Sequence, residues 1–296
     1  MKKHFYGGQA VIEGVMIRGK SNCVVAVRNS QNKIILNQIP IPSFSKPFFK
    51  KIPFLRGVII LIEMMVIGYR SLTKSSEIIE ESEESDISLL EKIFSYIFSS
   101  VFLVLILSLF FLVPLFLSDR MVFVENNFVL NNILEGIIRL IFFILYVYLI
   151  GLNKDVKRVF AYHGAEHKTI AAYEDNKDIN ANNIEKIQKY NKEHPRCGTS
   201  FIMTVILVSV VLHVFIPREP MLLLYLSRVL LFPVIAGLSY ELIRLSSVST
   251  DNIISKVLSL PNIWMQKLTT ADPENDMIEV ALSAINESVR LDDESN

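Results

Sequence analysis

The sequence predicts a mainly α protein: a polytopic membrane protein with about four transmembrane helices, a small N-terminal β-meander and a C-terminal amphipathic helix. Three observations carry that expectation. The 296 residues are 51% hydrophobic with a mean hydropathy of +0.39. Four long apolar runs divide the chain, and its basic residues gather in one of the loops between them. Gly and Pro number only 11 each, so the apolar excess is long aliphatic and aromatic side chains, a composition suited to lipid as solvent. Formal net charge is zero and no basic block appears, which argues against a nucleic-acid footprint.

Residues 1–50 read as a cytosolic β-meander. Its opening, MKKHFYGGQAVIEG, has a charged start but no apolar run before the glycines, so no secretory signal peptide is expected. Residues 10–17, 23–28 and 33–39 are β-branched runs separated by GKSN and NSQN, which are hairpin-turn chemistries, so three strands are predicted. Residues 51–95 combine a short apolar helix over 57–69, interrupted by Glu63 and read as interfacial or bundle-packed, with the acidic linker SSEIIEESEESD at 75–86. Residues 96–240 hold the four apolar runs, 96–118, 133–152, 201–216 and 221–240.

Orientation follows from the loops between those runs. Residues 119–132 carry only Arg120 as a basic residue, and 217–220 only Arg218. The insert 153–200 carries Lys154, Lys157, Arg158, Lys168, Lys177, Lys186, Lys189, Lys192 and Arg196. The positive-inside rule therefore puts that insert and both termini in the cytoplasm of a multi-pass protein of the cell membrane. Residues 241–296 form a cytosolic C-terminal segment. There Asp272-Pro273, followed by Ile278, Leu282, Ile285 and Val289, reads as an N-cap, a proline at the first helical position and an apolar stripe.

Several residues carry chemistry. Residues 14–21, GVMIRGKS, match a phosphate-loop pattern, but they lead into the strand CVVAVR instead of opening a helix, so a hairpin turn is the expected structure. The stronger signal is YHGAEHK at 162–168. His163 and His167, four apart, project from one helix face and suit two positions on a zinc or similar divalent ion. Glu166, about 60° around the axis from His163, is placed to act as general base, in the H-x-x-E-H order of inverted zinc peptidases. The plainer alternative is two polar histidines on an exposed helix face. Gly164 between them lowers helix propensity and makes that alternative less comfortable.

Two histidines supply half of a tetrahedral shell, so a further ligand is expected from His194 or Cys197, which the roughly two dozen intervening residues allow to loop back. Glu174 is considered too, but at two turns from His167 it lies about 10 Å along the axis. Cys197 could instead be a small residue packed at a helix entry. Both cysteines, Cys23 and Cys197, are expected as reduced thiols. Arg196 or Lys168 would stabilise an oxyanion or bind an anionic group. Glu13 and Arg18, a charged pair on an apolar sheet, are expected near the His163 segment. Glu135, Arg139, His213 and Arg228 fall inside the apolar runs, and snorkelling with pairing to Glu135 is the favoured reading.

The segments GGQAVIEGVMIRG, YHGAEHKTI, HPRCGTSF and PNIWMQKLTT together resemble the YqhQ-like bacterial membrane proteins, nearly end to end. The matching residues are Gly7, Gly8, Gln9, Glu13, Gly14, Met16, Arg18 and Gly19, then His163, Gly164, Glu166, His167 and Lys168. They continue through Arg196, Cys197, Gly198, Thr199 and Phe201 to Pro261, Trp264, Gln266, Leu268, Thr269, Thr270 and Pro273. The chain departs from the family pattern at Lys20, usually Pro, and at Asn262, usually Gly. The resemblance implies a membrane protein of unknown function described as a predicted metal-dependent enzyme.

The functional expectation is a membrane-embedded, metal-dependent hydrolase facing the cytoplasm, acting on peptide or lipid. In it His163, His167 and either His194 or Cys197 are metal ligands, and Glu166, Arg196 and Lys168 are catalytic. The alternative is a non-enzymatic scaffold or assembly factor that binds a protein partner through the motif loops. A small transporter built on Glu135, Arg139, His213 and Arg228 is a third reading, with its charges in the opposite half of the membrane from the motifs.

Overall fold

The computed structural model describes residues 6–42, 51–80, 89–120, 127–175, 179–194, 197–198, 200–248 and 253–295. The chain is mainly helical with a small N-terminal antiparallel sheet. It divides into two compact units, one from Met1–Ser82, Ile150–Thr204 and Ala236–Asn296, the other from Glu83–Leu149 and Val205–Ile235.

The first unit opens with β1 (Gly7–Val11), β2 (Gly14–Arg18), β3 (Cys23–Arg28) and β4 (Ile34–Gln38), antiparallel and adjacent in chain order. The stretch 10–17, expected as one strand, is a hairpin: Val11 pairs with Gly14 across two residues, and Glu13 sits in the left-handed region at φ 51. Glutamate is not the residue a tight turn advertises, and Gly7-Gly8 lack the β-branched side chains that mark a strand. The expected three strands are therefore four. Glu13 is fixed by its contacts: its carbonyl accepts from Arg28 N–H at 2.9 Å, and its carboxylate takes the Arg158 guanidinium and the Tyr162 hydroxyl.

The GKSN segment forms the β2–β3 turn, with Gly19 N–H donating to Asn22 O at 3.0 Å. Its outward amides on Lys20 and Ser21 donate to the Asp292 carboxylate at 2.8 and 3.1 Å. The phosphate-loop letters thus form a hairpin turn that binds a carboxylate from the chain's own C-terminal helix.

Both faces of the sheet are covered. Alternating side chains send Val15, Ile17 and Ala26 to one layer, against α4 (Lys154–Asp175) and α10 (Asn275–Glu294). Met16, Cys23, Val25 and Val27 enter the other, against Ile67 and Ile78 of α1 (Leu55–Glu80). Doubly covered strands need no polar face, which is why β2 and β3 read as unbroken apolar runs. α1 is 26 residues long and takes in part of the expected acidic linker. It lies on the sheet, and its Glu63, 4% exposed, is paired with Arg18 at 3.2 Å.

The stripe Ile278, Leu282 and Ile285 of α10 is fully used as the floor of the core. Glu274 and not the expected Asp272 holds the N-cap position, without a side-chain capping bond, and Asp272 instead meets Lys192 at 2.7 Å.

The second unit contains α2 (Leu89–Arg120), which carries the apolar run 96–118, and α3 (Phe128–Ile150). The remaining apolar runs lie on α6 (Ser200–His213), α7 (Met221–Leu230) and α8 (Phe232–Val248), and α9 (Ile253–Thr269) leads to α10. Among the described residues searched, α3 alone is long and apolar enough to cross a membrane, with a second candidate if α7 and α8 count together. Those two are bent by 43°, with Pro233 at the break removing an N–H and crowding the preceding turn. α6, at 14 residues, is shorter than a bilayer span. The four expected spans are therefore not four long straight helices.

Candidate metal centre

The middle of α4 is buried on every side, from Ala161 to Ile170. That disposes of an exposed helix face for the histidines: His163 is 6% exposed and His167 1%. The chain reaches this depth because residue 164 is glycine. A Cβ there would run into the carbonyl of Ala271, whose own N–H donates to Phe160 O at 2.9 Å. The segment after α9 is thereby laid directly on α4, and it brings the Thr269 carbonyl to His163.

Each histidine is oriented by a backbone carbonyl. His163 Nδ1 lies 2.8 Å from Thr269 O and His167 Nδ1 2.5 Å from Lys192 O. A carbonyl only accepts, so both Nδ1 atoms carry the proton and both Nε2 atoms present a lone pair. His163 Nε2 lies 3.2 Å from Cys197 Sγ. Among the described residues, His167 Nε2 is buried without a hydrogen-bond partner. The ligand atoms of His163, His167 and Cys197 all lie within 4.8 Å of one another.

Glu166 closes the fourth side. Its Oε2 stands 4.0 Å from His163 Nε2 and 3.9 Å from His167 Nε2. Burial pushes its carboxyl above the usual carboxylate range, against the pull of His163, His194 and a hydrogen bond from the Gly8 amide. A Cβ on Gly8 would sit 2.8 Å from both Cγ and Oε1 of Glu166, so only glycine lets β1 approach this closely. Burial likewise pushes the His167 imidazole below the ordinary histidine range, ahead of the opposing effects of Cys197 and the Lys192 carbonyl.

This donor set fits a metal ion. Ligands of one tetrahedral zinc, at about 2.0–2.3 Å from it, are separated by roughly 3–4 Å, and a thiol with two imidazoles is a combination that suits zinc. Carbonyl-bound Nδ1 atoms are the outer partners that metal-ligating histidines use. The orphaned His167 Nε2 is the atom that most needs a cation.

Of the two candidates for the further ligand, Cys197 joins the group and His194 stands beside it. The His194 backbone is clamped to the Gln266 side chain by bonds of 2.7 and 2.9 Å. Its ring Nε2 lies 3.6 Å from Glu174 Oε2, with its ring centroid 5.7 Å from that of His167. Glu174 therefore approaches His194 and not the converging trio. Lys168 Nζ donates to Gln188 O at 2.8 Å and to Gln188 Oε1 at 3.2 Å, an anchor to α5 (Ile184–Ile187) and the residues after it. Arg196 lies outside the described residues. Glu13 meets α4 at Arg158 and Tyr162, whereas Arg18 turns to Glu63. Residue spacing pointed to none of Gly8, Thr269, Lys192 or Gln266, because three of them act through backbone atoms and the fourth holds a backbone segment.

Compared with known proteins, residues 52–291 match the family model described as "Protein of unknown function (DUF1385)". The chain belongs to this family. It is 37% identical over 309 aligned positions to the "Uncharacterized protein YqhQ" of Bacillus subtilis (strain 168), covering 99% of this chain and 96% of that protein. No solved structure matches. The residues around this candidate site come from all four segments that carry the family resemblance: Gly8, then His163, Gly164, Glu166 and His167, then Cys197, then Gln266 and Thr269.

Proposed function

We propose that this protein is a membrane-embedded, metal-dependent hydrolase with its site on the cytoplasmic side, acting on a peptide or lipid substrate. One observation carries the reading: two Nε2 lone pairs and a thiol converge within 4.8 Å, with a carboxylate oxygen 3.9–4.0 Å from both imidazoles. His163, His167 and Cys197 would hold a divalent ion, zinc by the softness of the set. Bound there, zinc supplies Lewis acidity and a water-derived nucleophile near neutral pH. Glu166 Oε2 takes up and returns the proton, held in position by the Gly8 amide. Thr269 and Lys192 fix the imidazole orientations and keep their Nδ1 protons out of the reaction. The multi-pass topology is supported by the apolar runs on α2, α3, α6 and the α7–α8 pair. The cytoplasmic orientation rests on the nine basic residues of the insert 153–200.

A second reading is favoured by the depth of the site. With His163, Glu166 and His167 all no more than 6% exposed, a metal there would cross-link α4 to the segment before α6 in a non-enzymatic scaffold or assembly factor. Elemental analysis of the purified protein and of Glu166→Gln separates the two. Near-stoichiometric zinc in both, with hydrolysis of a peptide or ester panel only in the first, supports the enzyme. Zinc without hydrolysis in either supports the scaffold, and metal-free protein of native fold overturns both.

A further inference from the structure

The second unit holds a buried cluster of charge that the metal centre does not use. Glu135, on the second turn of α3, receives three guanidiniums. Its Oε1 accepts from Arg139 Nη2 at 2.6 Å, and its Oε2 accepts from Arg218 Nη2 at 2.7 Å and Arg228 Nη2 at 2.8 Å. The side chains are 2% exposed for Glu135, 8% for Arg228, 9% for Arg139 and 11% for Arg218. A second carboxylate, Asp119, stands 2.9 Å from Arg218 but is half exposed. Among the described residues, three guanidiniums against two carboxylates leave one positive charge. Donor geometry repeats the imbalance, since Nε and Nη1 of Arg228 are buried without a hydrogen-bond partner among the described residues.

Of the sequence reading, snorkelling with pairing to Glu135, the pairing is present, and the side chains turn inward onto that carboxylate. An excess guanidinium this deeply buried is costly unless an anion meets it, and the Nε and Nη1 of Arg228, on different edges of the plane, each offer an N–H to an oxygen of a phosphate or carboxylate. Ser118 Oγ, which accepts from Arg218 Nη2 at 3.0 Å, adds a hydroxyl to the same cluster.

We infer that Arg228, with Arg139 and Arg218 held in place by Glu135, forms a binding site for a phosphate group bearing about one negative charge. Glu135 is the template: it gathers the three guanidiniums and neutralises one, Asp119 offsets a second, and the remaining charge matches a monoanion and not a polyphosphate. A phosphodiester of a lipid headgroup and free inorganic phosphate both have this chemistry.

The test uses the full chain in a neutral maltoside detergent. Its Tm, read by circular dichroism, is followed as phosphatidylglycerol, uncharged diacylglycerol or inorganic phosphate against chloride of equal ionic strength is added. A saturable rise with phosphatidylglycerol but not diacylglycerol identifies a headgroup site, and a saturable rise with phosphate identifies a free-anion site; either supports the inference. In Arg228→Gln the midpoint weakens about tenfold or more, the loss expected for a charge-assisted pair. Should that variant not fold, Arg228→Lys decides, because it keeps the charge and loses the Nε and Nη1 donors, and its midpoint must also weaken. No saturable rise with either phosphate source, or an unchanged midpoint in the folded variant, overturns the site.

Discussion

The α4 site and the cluster around Glu135 are both buried and both polar, but what each leaves over is opposite. Around α4, the carbonyls of Thr269 and Lys192 have already taken the imidazole N–H groups, and the surplus is lone pairs: two Nε2 atoms, a sulfur and a carboxylate oxygen. Around Glu135 the surplus is N–H, on the Arg228 guanidinium. Buried polar groups are nearly always satisfied, so a surplus of acceptors asks for a cation and a surplus of donors for an anion. The two regions also differ in how they are held. Backbone atoms orient the first, which leaves its side chains free for a ligand, while side-chain carboxylates, chiefly Glu135, orient the second.

That contrast breaks most visibly at His167. His167→Ala removes one of three converging donors, and the zinc content of the purified protein is expected to fall from near stoichiometric to near zero. The loss in affinity should exceed the roughly 10–100-fold that removal of an outer partner costs. The phosphate response of the Glu135 cluster should be unchanged. Loss of both responses in a folded variant would mean that the two clusters are not separate sites. Glu166→Gln comes next: zinc is retained, and turnover of any substrate identified is expected to drop about 10²–10⁴-fold if the carboxylate acts as general base. A drop in zinc content of the same size would make Glu166 a ligand instead.

Smaller effects sharpen the role of the backbone. Gly8→Ala puts a methyl group 2.8 Å from Glu166 Cγ and 2.6 Å from Met16 O, so β1 must move. The expected cost is about 1–3 kcal/mol, measured by chemical denaturation, together with weaker zinc binding because the Gly8 amide no longer reaches the carboxylate. Gly8→Ala of wild-type stability and wild-type zinc affinity would show that the close approach of β1 is not needed.

These residues also mark how far the site was legible in the sequence. The i, i+4 spacing of His163 and His167 gave one face, and the loop back to Cys197 followed from the need for another donor. The orienting partners were not legible by spacing, since any residue has a carbonyl and nothing in a side chain announces its use. Gly164 was legible only as a misfit, a helix-weakening residue whose reason is the Ala271 carbonyl against it. In the fold, the apolar stripe of α10 and the GKSN turn were readable from period and turn chemistry. The β1–β2 hairpin was not, because a left-handed glutamate held by Arg158 and Tyr162 is a tertiary event. The bend at Pro233 was visible as a residue but not as an angle.

The β2–β3 turn is the intermediate case, and it yields the smallest effect. Here too the surplus is N–H, on Lys20 and Ser21, but the chain supplies its own anion, the Asp292 carboxylate, which also accepts from Asn22 Nδ2 at 2.8 Å. Burial pushes the Asp292 carboxyl up, but the Lys20 and Ser21 amides with the Tyr6 and Ser21 hydroxyls pull harder, and the net result lies below the usual range. A depressed folded value means that the folded state holds the charged form more firmly than the unfolded chain does. The contribution is therefore complete above the unfolded value of about 3.9 and is lost as pH falls through the folded value. Asp292→Ala is expected to lower stability by about 1–3 kcal/mol at pH 7, by leaving the turn amides to water and freeing the end of α10 from the hairpin. The difference between wild type and variant should be flat from pH 7 to 5 and shrink in more acidic buffer. A difference that stays constant down to pH 2.5 in chemical denaturation would show that Asp292 acts there through packing and not as the anion that the turn binds.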